Sequence, residues 1–212
     1  MALPKKMEAP TVYGLRDASG NLSDLFERAS PLWWRKGSVR PHIAAFDAGQ
    51  RTGFAFLSAA GTLRRAVVDS EHGRCSPYYT REIDRLLDEA FAIANDGKSP
   101  EVGMIVAIET TNLGSAARTP IAALAVHGWA CRIEALAVRR GLPVWVMEAN
   151  RWQAAVLPPH PKGNGRRTRE GDFGTKAVGK RTAEALFGVP FPVEDTSDAA
   201  LVAYYVRTGG VS

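Results

Sequence analysis

The apolar run at residues 102–108 (VGMIVAI) does most to limit what this chain can fold into. It is unbroken but too short for a core helix, so it reads as a strand covered on both faces, the kind found in parallel sheets. A strand of that kind implies helices on either side, and the flanking pattern agrees. Residues 42–46 (HIAAF), 53–57 (GFAFL) and 62–68 (TLRRAVV) are short runs separated by Gly-containing breaks, which predicts three strands joined by tight turns. Connections that short make the three antiparallel neighbours. Ile83, Leu86, Leu87, Ala90, Phe91 and Ala94 recur at helical spacing, and Asn-Asp-Gly at 95–97 ends that helix. An alanine-rich helix over about 121–139 closes at Gly141, residues 144–147 (VWVM) form a further strand, and helical patterning returns at about 176–187 and 195–207.

The expected order is β-β-β-α-β-α-β-α-α, an α/β fold with a mixed five-stranded sheet and helices on both faces. It spans about residues 42–208 as one domain, preceded by an extension over residues 1–41 in which LSDLFERA reads as a short helix. At 212 residues, with 45% hydrophobic and 23% charged, the chain suits a single core and excludes collagen-like, disordered and membrane-bundle classes. The most apolar region is broken by Arg118, His127, Arg132 and Glu134, so no membrane span is expected. The N-terminus carries two lysines without a following apolar stretch, and the expectation is a cytoplasmic protein with no export signal. Cys75 and Cys131 have neither CxxC nor Cys-His spacing, which argues against disulfides and zinc; both read as reduced core residues.

Two of the strands end alike. Residues 43–46 (IAAF) deliver Asp47 and residues 105–108 (IVAI) deliver Glu109. If those strands are parallel neighbours, about 4.8 Å apart, both carboxylates emerge at one sheet edge. That edge, at the carboxyl ends of parallel strands, is where open α/β sheets generally bind ligands. A third element is the last helix, where Asp195 and Asp198 are three residues apart and share a helical face. Acids in a first turn also complement the helix dipole, whatever their function. Asp47, Glu109, Asp195 and Asp198 together form an oxygen-only set, which favours Mg²⁺ or Mn²⁺ over zinc. Two such ions can activate water on one side of a phosphodiester and stabilise the leaving oxygen on the other. The chemistry these residues point to is metal-dependent phosphodiester hydrolysis.

Asp47-Ala-Gly-x-x-x-Gly53-x-Ala55, the apolar strand ending in Glu109, and Asp195-x-x-Asp198-Ala199 together resemble the RuvC-type Holliday junction resolvases of the ribonuclease H superfamily. Gly141-Leu-Pro-Val-Trp-Val, Ala149-Asn-Arg-Trp-Gln-Ala-Ala-Val156, the Gly/Lys stretch at 176–180 and Ala185-Leu-Phe-Gly188 follow in that family's order. The resemblance covers about residues 42–207. It implies a ribonuclease H-like fold, two Mg²⁺ ions (Mn²⁺ being the alternative) held by Asp47, Glu109, Asp195 and Asp198, and a homodimer that nicks opposed strands of a four-way DNA junction. It also implies a basic residue on the scissile phosphate, for which Lys180 is the first choice and Lys176 the second. The chain departs from the family at the third position after Glu109, where Asn112 and then Leu113 stand in place of a junction-inserting aromatic.

A basic segment fits a polyanionic partner. Arg151, Lys162, Arg166, Arg167, Arg169, Lys176, Lys180 and Arg181 face only Glu170 and Asp172 over residues 151–181, a local surplus of six in a chain whose whole net charge is +5. Most of it lies in or beside a Pro/Gly-rich loop at about 158–175. Such residues contribute salt-sensitive affinity, with a slope of about −0.9 in log[salt] per phosphate neutralised. Trp33-Trp34-Arg35-Lys36 reads either as an arm tucked onto the domain or as a contact to DNA bases. The alanine-rich helix suits either a dimer interface or simple core packing. Three other functions stay open: a nuclease for RNA–DNA hybrids or structured RNA, a non-catalytic junction-binding protein, and an actin-like ATPase, for which the chain is short.

Overall fold

Strand placement follows the apolar runs closely. In a computed structural model, which describes residues 40–69, 76–96, 103–110, 120–158 and 175–208, the strands are β1 (His42–Asp47), β2 (Arg51–Leu57), β3 (Leu63–Asp69), β4 (Met104–Thr110) and β5 (Val144–Glu148). The helices are α1 (Pro77–Asp96), α2 (Pro120–Arg139), α3 (Ala149–Val156), α4 (Thr175–Phe187) and α5 (Glu194–Arg207). The sheet runs β3-β2-β1-β4-β5. β1, β2 and β3 are antiparallel, whereas β4 is parallel to both β1 and β5. This is the expected mixed five-stranded sheet.

Strand periodicity divides the core in two. Ala44, Phe46, Phe56, Val106 and Ile108 face α1 and α2, meeting Tyr79, Ile83, Trp129 and Ile133. Ile43, Ala45, Ala55, Ile105 and Ala107 face the other way, toward Trp152, Val178, Leu201 and Val202 of α3, α4 and α5. Helices therefore cover both faces, and α5 is the most enclosed: every residue from Thr196 to Ala203 is buried. Its last turn is tied to the β2–β3 turn by Arg207, which donates to the Ser58 and Ala59 carbonyls at 3.1 and 3.0 Å. On the opposite face, Arg140 joins α2 to α1 through Asp84 at 2.7 Å and Asp88 at 2.8 Å. Gly141, with φ of 69°, takes the left-handed position that ends α2 and lets the Leu142 N–H reach the Ala137 carbonyl.

Two expectations need correction. Residues 149–156 form a helix, α3, that the expected element order lacks. Trp152, Ala155 and Val156 pack inward at helical spacing, but over only eight residues that pattern is too brief to stand out in the sequence. Cys131 is exposed on α2 and is not a core residue, because Trp129, Ala130, Ile133 and Leu136 supply that helix's inner face. Cys75, Trp33, Trp34, Asn112, Leu113 and the LSDLFERA segment lie outside the described residues. No helix among the described residues is long and apolar enough to cross a membrane.

Candidate functional site

The site is assembled from strand register and one unusually close helix–strand contact. In the parallel β1–β4 ladder, Asp47 is the direct partner of Glu109. Both belong to the odd-numbered set that faces α5, so the two carboxylates leave the same edge on the same side of the sheet. Across the antiparallel ladder, the partner of Asp47 is Gly53. Gly53 is where α5 begins to cross: a Cβ built there would lie 1.9 Å from the Asp195 carbonyl oxygen and 2.4 Å from its carbon. With no side chain at 53, the first turn of α5 rests directly on β2, bringing Asp195 and Asp198 over the ends of β1 and β4. Gly179 does the same from α4, where a Cβ would stand 3.1 Å from Asp198 Oδ1.

The electrostatics follow from this crowding. Burial pushes the Asp47 carboxyl well above the usual range, and the neighbouring Glu109 and Asp198 push it further. Glu109 rises to about 7, through burial first and Asp198 second, against the opposing pull of the Trp152 hydrogen bond and of Lys176. Asp198 also rises to about 7 through burial; Lys176 opposes this, while Asp195 and Glu194 add to it. Lys176 is the cation these acids share. Burial works against its charge, but Asp198, Asp195 and Asp47 outweigh burial and raise its proton affinity. Its Nζ lies 3.4 Å from Asp195 Oδ1, and Arg51 Nε lies 3.5 Å from Asp195 Oδ2.

These shifts predict a pH dependence of the metal-free protein. Glu109 and Asp198 bind protons more tightly folded, near 7, than unfolded, near 4, so their stabilising contribution is complete below about pH 4 and is lost as pH rises to about 7. Asp198→Asn removes one of them. In chelator, its unfolding free energy from urea denaturation should match wild type at pH 4 and exceed it at pH 8 by on the order of 4 kcal/mol. A gap that is equal at both pH values would refute the assignment.

The basic residues divide. The contact to the acids belongs to Lys176; Lys180 stands one helical turn further along α4 and makes no ion pair with them among the described residues. Arg151 on α3 and Arg181 on α4 are exposed. Lys162, Arg166, Arg167 and Arg169 lie outside the described residues. The sequence reading missed Arg51, which sits inside the Asp47-to-Gly53 motif, and Trp152, whose indole N–H donates to Glu109 Oε2 at 2.8 Å.

Among the described residues, no three Asp, Glu, His or Cys side chains are arranged to enclose one metal ion as they stand. The donor set nevertheless fits a hard divalent cation. It offers carboxylate oxygens, mostly buried and mutually repelling, whose one shared cation, Lys176, is largely exposed.

A β3-β2-β1-β4-β5 sheet with helices on both faces and acids at the carboxyl ends of β1 and β4 is a ribonuclease H-like fold. Thermus thermophilus RuvC, solved in complex with a Holliday junction substrate, superposes on 80% of this chain and 97% of its own, with a TM-score of 0.51 and 16% identity. That likeness shows the fold to be that of RuvC. A second Thermus thermophilus RuvC structure covers the same shares at a TM-score of 0.47 and 18% identity. The yeast mitochondrial Holliday junction resolvase Ydc2 covers 92% of this chain and 88% of its own at 0.42 and 14%. No protein-family model matches the sequence, and no curated protein does.

Proposed function

We propose that this chain is an endodeoxyribonuclease that resolves four-way DNA junctions by metal-dependent phosphodiester hydrolysis. The observation that carries the reading is the register pairing of Asp47 with Glu109 beneath the Asp195–Asp198 turn, a buried cluster of acids on one face of a sheet edge. Asp47, Glu109 and Asp198 would hold Mg²⁺ (or Mn²⁺), with Asp195 as the fourth ligand, and at least three of them must close on the ion. When bound, two such ions supply an activated water and stabilisation of the leaving oxygen.

The chain's own residues do the rest. Without a cation, the clustered carboxylates repel a phosphodiester, so approach of DNA depends on neutralising them. Lys176 already projects from α4 toward Asp195 and is exposed, so it can turn its ammonium to a phosphate oxygen. This favours Lys176 over Lys180 as the phosphate contact. Arg51 flanks Asp195 from the other side and is half exposed. Arg151, Lys180, Arg181 and the basic loop residues Lys162, Arg166, Arg167 and Arg169 would extend that surface along the backbone. Paired nicks in a two-fold junction call for two copies of the chain.

A substrate panel tests the reading. With Mg²⁺, a synthetic four-way junction should be cut at least tenfold faster than a linear duplex of the same sequence and than an RNA–DNA hybrid. Preference for the hybrid would make the protein a ribonuclease H-like enzyme instead. Tight junction binding without any cutting would make it a binding protein.

A further inference from the structure

Trp152 is 1% exposed within the core cluster beneath α5, where an apolar side chain would fill the space equally well. What tryptophan adds is an N–H, and a buried N–H requires an acceptor. The acceptor is a carboxylate at the sheet edge: Nε1 lies 2.8 Å from Oε2 of Glu109, a residue 43 positions earlier in the chain. Among the described residues, this is the one hydrogen bond made to the Glu109 side chain. Its direction is set by the fold. α3 follows β5 without a linker, and β5 is registered on β4 with Thr110 opposite Glu148, so α3 starts beside the residue that follows Glu109.

We infer that Trp152 is a positioning residue for Glu109, its indole N–H holding Oε2 so that the carboxylate keeps one rotamer and leaves Oε1 to meet a divalent cation. This rests on the metal-dependent reading proposed above. Bonds of this kind to a metal-binding carboxylate generally matter at the level of 10–100-fold in cation affinity. Glu109 needs one, because it is buried beside the like charge of Asp198, which would otherwise push its carboxylate off position.

The test compares Trp152→Phe with Trp145→Phe, which truncates another indole of the same core cluster away from Glu109. Mn²⁺ alone is titrated calorimetrically into the full chain. Trp152→Phe should raise the Mn²⁺ Kd about tenfold, and its cleavage should recover as Mn²⁺ is increased, with maximal rate closer to wild type than the half-saturating Mn²⁺ concentration. Trp145→Phe should leave the Kd within twofold. A Trp152→Phe variant with wild-type Mn²⁺ affinity would overturn the inference. So would equal weakening in both variants, which marks general loss of packing. If Trp152→Phe does not fold, the ¹⁵N-indole resonance of Trp152 in the unaltered protein decides: titrated with diamagnetic Mg²⁺, it should shift with the calorimetric midpoint for that ion while the Trp145 indole stays put, and a Trp152 resonance indifferent to Mg²⁺ contradicts the role. Failure of the unaltered protein to bind Mn²⁺ would be seen separately, and would remove the metal-dependent reading and this inference with it.

Discussion

Asp47→Asn is expected to reduce junction cleavage by about 10³-fold or more, since loss of a carboxylate in the cluster removes several kcal/mol of transition-state stabilisation. The same variant should bind an intact junction at least as tightly as wild type in chelator, because one of the charges repelling phosphate is gone. It should also be more stable than the metal-free wild type at pH 8. Asp47 is held above the usual carboxylate range by burial and by Glu109, so the neutral amide suits its position better than the ionised acid. An inactive yet stabilised variant distinguishes a site built for charge from one that is merely structural. If Asp47→Asn were active, or were destabilised at pH 8, the assignment of this cluster as the reacting centre would fail.

Gly53→Ala should be the most damaging single-methyl change in the domain. The new Cβ would fall 1.9 Å from the Asp195 carbonyl oxygen, and the obstructing atoms are backbone, which cannot rotate aside. Either the first turn of α5 lifts from β2, carrying Asp195 and Asp198 away from Asp47, or the pairing of Asp47 with Gly53 breaks. The expected cost is about 3 kcal/mol or more in urea denaturation, with cleavage down at least 100-fold at a temperature where the variant is still folded. Gly103→Ala is the matched control: a Cβ there meets nothing within 4 Å, and the change should stay within about 0.5 kcal/mol. A Gly53→Ala protein with near-normal stability and activity would mean that the site does not depend on this contact.

Both predictions draw on what was readable in the sequence and on what was not. The strands that carry Asp47 and Glu109 were legible because a buried strand needs an unbroken apolar run and the acid marks its exit to the edge. The register that makes these two residues direct partners follows from packing, and no spacing of 62 positions reveals it. Gly53 was visible as the last glycine of the Asp47-Ala-Gly-x-x-x-Gly53 motif, but its reason lies in the carbonyl of a residue far along the chain. Lys176 and Lys180 are one turn apart on α4, so composition could not separate them; the packing of α4 on α5 puts Lys176 at the acids. Trp152 sat in plain view on a helix too short for its apolar spacing to stand out, and its partner is on β4. Cys131 was misread because alanines on every side of α2 blur which face is inner.

The net charge of +5 averages a buried acidic cluster against an exposed basic flank, of which Lys176 and Arg51 are the members that contact the acids among the described residues. The four carboxylates are also unequal. Asp195 is engaged by two cations, whereas Asp47, Glu109 and Asp198 chiefly face one another and Lys176.

The most direct measurement is cleavage of an end-labelled synthetic four-way junction by the full chain, with Mg²⁺ present and again after chelation. Metal-dependent resolution gives paired nicks in opposed strands with Mg²⁺ and none after chelation, restored when the ion is returned. Cutting that persists in chelator, or an intact junction under every condition in which it is bound with Mg²⁺, would contradict it.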